Sequence, residues 1–170
     1  PLIETAAAVL NAQDICFASK RVKAIAFGSE DYVTDMQGIH DKESVSLFTA
    51  RNLIVMAARA ANVIPVDTVY INVHDLEGLE KNLILSKNLG FEGMLILSPK
   101  QLPLAHKYYS PSDEEVEQAK EMLRMAEESE KEAKGVAVVN NKFVGPPLVE
   151  RAKNLLKKHQ MVVDKERKYN

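Results

Sequence analysis

Residues 65–99, PVDTVYINVHDLEGLEKNLILSKNLGFEGMLILSP, carry the alternation that decides the fold. A β-branched run predicts a strand over Asp67 to Val73, opened by the turn residue Pro65. Asp75 reads as the N-cap of a helix over Leu76 to Asn88, with Gly90 as its terminator. Gly93 to Leu97 reads as the next strand, stopped by Ser98 and Pro99. A strand, a helix and a second strand in this order make a parallel pair joined by a crossover helix.

The same unit recurs upstream. Pro1 to Thr5 predicts a strand, followed by a helix over Ala6 to Ala18 with Val9, Leu10, Ile15 and Cys16 turned to a core. Val22 to Phe27 predicts the next strand, closed by Gly28, and after a polar loop a helix spans Glu43 to Ala61. Its apolar face is Phe48, Leu53, Ile54, Met56 and Ala57. Downstream, the capping box Ser112-Asp113-Glu114-Glu115 opens a helix that reaches Lys134 and stops at Gly135. A short strand over Val136 to Asn140 and a last helix entered through Pro146 and Pro147 complete the chain. Three regions result: 1–110 as barrel units, 111–161 as a helical extension suited to a subunit contact or a lid, and 162–170 as a charged, fraying tail.

Alternating strands and helices predict an α/β fold of the TIM (β/α)8 barrel type, with this chain covering about the last four βα units plus C-terminal helices. An open doubly wound sheet also alternates, but no glycine-rich phosphate loop follows any of these strands. Half a barrel leaves strand edges unpaired and an apolar face in water. The expectation is completion by a missing N-terminal half or by another subunit, and the start at Pro1, already in strand-like sequence, agrees with the former.

The composition excludes several classes. With 22 Lys and Arg against 24 Asp and Glu in 170 residues, the net charge of -2 supplies no basic field, so nucleic acid is not an expected partner. The longest apolar stretches, such as Leu53 to Ala58, are far short of the roughly 18 residues of a membrane span. Cys16 is the single cysteine, which rules out an internal disulfide and a cysteine-based zinc site and fits a reducing compartment, the cytoplasm or a mitochondrial matrix.

Functional side chains of an α/β barrel sit where strands end. Those ends are Glu4 and Thr5; Gly28, Ser29, Glu30 and Asp31; Asn72, His74 and Asp75; Ser98, Pro99 and Gln101. Carboxylates dominate the first two, and adjacent strands bring Glu4 and Asp31 toward a shared point, as a hard cation such as Mg2+ requires. Helix caps or solvated loop acids account for such residues equally well. His40, His106 and His159 lack ligand spacing, and Cys16 reads as a buried small hydrophobe.

A set of short motifs runs in order along the chain: Leu2-Ile3-Glu4-Thr5, Phe27-Gly28-Ser29-Glu30-Asp31-Tyr32, Ala50-Arg51, Ala57-Ala58-Arg59-Ala60-Ala61, Val66-Asp67-Thr68-Val69-Tyr70, Asp75-Leu76-Glu77-Gly78-Leu79, Leu89-Gly90-Phe91 and Pro99-Lys100-Gln101. Together they resemble the C-terminal half of the citrate lyase β-subunit family, which includes malyl-CoA and citramalyl-CoA lyases. The resemblance implies a Mg2+-dependent carbon-carbon lyase, with Glu4 and Asp31 as metal ligands and Ser29, Glu30 and His74 as secondary, substrate-binding residues. It also implies an oxo acid, an acyl-CoA or acyl-carrier-protein thioester, and a homo-oligomer. Three departures stand against it. The family's Lys and His on the last strand are replaced by Met94 and Ser98, and early-strand substrate contacts are not in this chain. The proton-transferring acid aligns with Gly145, which cannot transfer a proton. A non-catalytic paralogue or assembly subunit, and a metal-dependent aldolase acting on free oxo acids, are the competing readings.

Overall fold

Apolar residues at alternate positions turn the strands into a wall with one buried face. The computed structural model describes residues 1–41, 45–131, 137–139 and 142–169, in two units, Pro1–Tyr109 and Ser110–Asn170. In the first, β1 (Leu2–Ile3), β2 (Ala24–Phe27), β3 (Ile64–Asp67) and β4 (Gly93–Met94) pair in parallel in the order β1-β2-β3-β4. Ile3 pairs with Phe27, Ile25 with Pro65, and Val66 with Gly93. The order follows the sequence with no reversal, as in a barrel wall, whereas a doubly wound sheet reverses at a switch point.

Ile3, Ile25 and Phe27 are fully buried beneath the helices, in one cluster with Val9, Cys16, Ile54 and Ala58. Leu2 and Ile64, which alternate to the opposite face of the sheet, are each 47% exposed. Fully burying a side chain of this size is worth about 1.5–3 kcal/mol, so the helix-side cluster carries the unit's stability.

Several expected boundaries move. The first helix is two, α1 (Ala6–Leu10) and α2 (Ala12–Phe17), divided at Asn11, whose backbone leaves the helical region at φ -104° and ψ 13° and whose side-chain amide donates to Ala7 O at 2.8 Å. The segment read as a polar loop contains α3 (Ser29–Asp35), whose apolar face is only Tyr32 and Val33. The helix predicted from Glu43, a residue outside those described, is α4 (Val45–Ala60). It buries Leu47, Ala50, Arg51, Ile54, Val55, Ala57 and Ala58, while Phe48 and Met56 face solvent.

The strand predicted over Asp67 to Val73 is instead β3, ending at Asp67. Pro65 lies inside the strand and not in a turn; Ile64 N–H bonds to Lys23 O in the β2 direction, so residue 65 directs its missing donor toward β4, which begins only at Gly93. Asp75 caps α5 (Leu76–Leu89) as expected, accepting from Gly78 N, and Gly90 ends it at φ 106°. Residues Pro99–Gln101 form a 3-10 turn leading into an unanticipated α6 (Leu102–Tyr109). Leu79, Leu83 and Ala105 make a second small core there.

In the second unit, the expected capping box holds: Glu115 N–H donates to Ser112 Oγ and Ser112 N–H to Glu115 Oε2, opening α7 (Asp113–Lys131). A hairpin of β5 (Ala137–Val139) and β6 (Lys142–Val144) leads to α8 (Pro146–Tyr169), which packs against α7. The single strand expected over Val136 to Asn140 is thus part of a pair, and Lys134, Gly135, Val136 and Asn140 lie outside the described residues. The tail expected to fray from Val162 continues α8, with Gln160 bonded to Asp164 at 2.7 Å. No described helix is long and apolar enough to cross a membrane.

Two predictions follow from the helix starts. A Cβ at Gly78 would lie 2.0 Å from the Tyr70 hydroxyl and 2.2 Å from Asp75 Oδ2. Gly78→Ala, ordinarily favourable in a helix, should instead destabilise the fold by about 1–3 kcal/mol in chemical unfolding. The N–H groups of Ser46 and Val45 hold the Asp41 carboxyl at about 2, below its usual 3.8. That stabilisation is complete above the unfolded value and is lost as pH falls through the folded one. The melting-temperature advantage of wild type over Asp41→Asn should therefore shrink between about pH 4 and pH 2.

Candidate functional site

The carboxyl edge of the sheet is built around Glu4 and Gly28. Gly28 N–H bonds to Ile3 O at 2.8 Å, which sets Gly28 beside the residue that leaves β1. A Cβ at Gly28 would stand 2.8 Å from Glu4 Cβ and 3.1 Å from Glu4 Oε2, so the missing side chain is the space in which Glu4 lies. Alternation puts Glu4, half-buried, on the face of the sheet shared with Leu2, away from the helices.

Asp31 is exposed in the first turn of α3. One turn later on the same helical face, Asp35 Oδ2 accepts the Ala6 N–H at 2.7 Å, just past Glu4. That bond turns the Asp31 and Asp35 face of α3 toward the end of β1. Glu4 thus follows β1, and Asp31 lies in the first turn of the helix that follows the adjacent β2. Among the described residues, no group of three or more His, Cys, Asp or Glu side chains gathers as a metal site. A site of at most two carboxylates would suit a hard, partly hydrated cation and not zinc.

The remaining expected site residues are used differently. Ser29 is 2% exposed, and its hydroxyl lies 2.7 Å from Thr68 Oγ1. Glu30 Oε2 pairs with His40 Nε2 at 3.2 Å and Glu30 Oε1 takes the Ser29 hydroxyl, so its carboxylate is occupied on the outer side of α3. His74 is exposed in the turn before α5 and is not at a strand end, because β3 stops at Asp67. Ser98 caps the 3-10 turn, and Met94 packs into the second core. Burial pushes the Cys16 thiol up from its usual value, which removes it as a nucleophile at neutral pH.

Arg51, Asp67, Thr68 and Asn82, which the strand-end reading passed over, and Gln101, which it named, make up the polar frame of this edge. Arg51 and Asp67, 1% and 0% exposed, form a salt bridge at 3.1 Å. Arg51 also donates to Asn82 Oδ1 at 2.8 Å, while Asp67 Oδ1 takes the Thr68 N–H at 2.8 Å. The fully buried Gln101 donates to Tyr70 O and accepts from Leu97 N and Ser98 N. A lone Arg at a buried position of an apolar helix face was the available signal for Arg51.

Residues 2–99 match the HpcH/HpaI aldolase/citrate lyase family model. The chain belongs to that family. It is 40% identical over 156 residues to the citrate lyase subunit beta of Haemophilus influenzae, covering 92% of this chain and 54% of that protein. It is 32% identical to a (3S)-malyl-CoA thioesterase of Cereibacter sphaeroides, covering 95% of this chain and 56% of the relative. Among solved structures it resembles the protein CitE of Mycobacterium tuberculosis, in complex with magnesium, acetoacetate and coenzyme A. That match has a TM-score of 0.77 at 26% identity and covers 94% of this chain and 60% of the other. This citrate-lyase-family chain spans about half the length of the curated relatives it matches.

The tight seat of Glu4 is open to test. Gly28→Ala should cost about 1–3 kcal/mol in urea unfolding by overpacking. Glu4→Ala, which retains the offending Cβ, should not relieve that cost.

Proposed function

We propose that this chain carries the metal-binding half of a Mg2+-dependent carbon-carbon lyase of the citrate lyase β type, cleaving a hydroxyacyl-CoA or hydroxyacyl thioester to an oxo acid and an acyl thioester. The supporting observation is the pairing of Glu4, seated against Gly28, with a short helix whose Asp31 and Asp35 face turns to the end of β1. A solved relative that holds magnesium, acetoacetate and coenzyme A points the same way.

Glu4 and Asp31 would hold the cation through their carboxylate oxygens. Magnesium, when bound, supplies Lewis-acid polarisation of a carbonyl oxygen. Glu4 contributes a carboxylate lying in the space that the absent side chain of Gly28 leaves, and Asp31 contributes one open to solvent, leaving room for substrate oxygens. Ser29 and Glu30 serve this site by holding α3, and His74 lies beyond the strand ends.

One observation favours a second reading, an assembly subunit that has lost its chemistry. Gly145, where similar lyases carry an acid, supplies only its carbonyl to Leu148 N and Val149 N at the start of α8.

Mg2+ titrated in the presence of oxalate, a mimic of the oxo acid, should show mutually strengthened binding. Glu4→Gln and Asp31→Asn should each weaken Mg2+ at least about tenfold while the protein stays folded by circular dichroism. Unchanged affinity in both variants would remove the metal site. Turnover of malyl-CoA or citramalyl-CoA by the wild-type protein excludes the assembly reading; recovery of activity only in Gly145→Asp establishes it.

A further inference from the structure

We propose that Asp67 and Thr68 are positioning residues for Asp31, acting through Ser29. The inference rests on the metal reading above and adds a chain of contacts leading to it from the buried side of the sheet.

The chain starts at α5 and ends at α3. Asn82 Oδ1 accepts from Arg51 Nη2 at 2.8 Å, and Arg51 Nε donates to Asp67 Oδ1 at 3.1 Å. The same Asp67 oxygen takes the Thr68 N–H at 2.8 Å, which turns the backbone out of the ladder at the end of β3. Thr68 Oγ1 then accepts the Ser29 N–H at 3.1 Å and is hydrogen-bonded to Ser29 Oγ at 2.7 Å. The Ser29 hydroxyl donates onward to Glu30 Oε1 at 3.3 Å, so in the bond between the two hydroxyls Thr68 is the donor. Ser29 is the first residue of α3, and Asp31 stands two residues further.

The energetics argue that this chain is directional. Arg51 Nη1 and Asp67 Oδ2 are buried and have no hydrogen-bond partner among the described residues. A buried ion pair with an unsatisfied atom on each side gains little over well-packed apolar residues of the same volume. What apolar residues could not supply is a fixed acceptor for Thr68 N–H, and thereby a fixed orientation for the Thr68 hydroxyl. Thr68 is buried, so that hydroxyl is committed to Ser29 without competition from water. Outer partners that orient metal ligands typically change affinity by about 10–100-fold when removed.

The test compares Thr68→Val, Thr68→Ser, Ser29→Ala and Glu4→Gln by two readouts, Mn2+ affinity by calorimetry and amide hydrogen exchange at Ser29 in the metal-free protein. Thr68→Val should weaken Mn2+ at least about tenfold and speed exchange at Ser29. Thr68→Ser, which restores the hydroxyl, should return both to the wild-type values, a rescue that a merely structural loss of packing does not give. Ser29→Ala removes one of the two bonds and should weaken Mn2+ to a smaller degree; it decides the matter if Thr68→Val does not fold. Wild-type Mn2+ affinity in the folded Thr68 and Ser29 variants, with Glu4→Gln still impaired, overturns the positioning role alone. Unchanged exchange at Ser29 in Thr68→Val overturns it as well. A wild-type protein that takes up no Mn2+, or one indifferent to Glu4→Gln, overturns the metal reading and this inference with it.

Discussion

The buried pairing of Arg51 with Asp67 is the constraint on which the first unit turns. A charged guanidinium on an otherwise apolar helix face cannot enter the core without a partner, and the end of β3 is where that partner stands. The pair therefore sets which face of α4 meets the sheet, and with Asn82 it also fixes α5. Ala50, Ala57 and Ala58, small and buried on the same helix, let α4 approach closely enough for the contact to form. Breaking one member would strand the other charge in the core, a far larger penalty than the intact pair repays.

That constraint also explains which parts of the fold were legible in the sequence. The order of strands and helices, the Asp75 cap, the Gly90 stop and the Ser112 capping box were readable because each depends on nearest neighbours along the chain. The end of β3 was not, because Val69, Ile71 and Val73 are as strand-like as the residues before them. The strand ends early where Asp67 and Thr68 turn to long-range partners, which leaves His74 in a turn and not at a strand end. Phe48 and Met56 were assigned to the core on hydrophobicity, but Arg51 rotates α4 so that they face water. Topology was enough to place Glu4 after β1 and Asp31 after the neighbouring β2; the buried Arg51, Asp67 and Thr68 contacts were not readable, since their members are distant in sequence.

The sheet is finished on one face only. Ile3, Ile25 and Phe27 are covered by helices, whereas Leu2 and Ile64 on the reverse face remain open, and Glu4 lies on that same reverse face. In a closed barrel such positions are the interior, filled by side chains from other strands. A carboxylate there, past the end of β1, stands on the side of the sheet that the core helices leave open. The reverse face is thus left for surfaces beyond these four strands to cover, in keeping with relatives about twice as long.

Helix α3 concentrates the problem of precision. Seven residues are too few to be a stable helix in water, because the nucleation cost is recovered only over a longer run. Its position is set by contacts at each end and in the middle: Ser29 to Thr68, Asp35 to Ala6 N–H, and the Tyr32 ring edge-on to Phe27 at 5.5 Å. Two of the three are polar and directional, and they bracket Asp31. A cation such as Mg2+ tolerates little distortion of its octahedron and keeps several waters, so a solvent-facing carboxylate is useful to it only if the backbone beneath is held still. If Asp31 holds the cation as proposed, an exposed carboxylate on a short helix with buried anchors meets both demands, since the anchors restrict the backbone without enclosing the carboxylate.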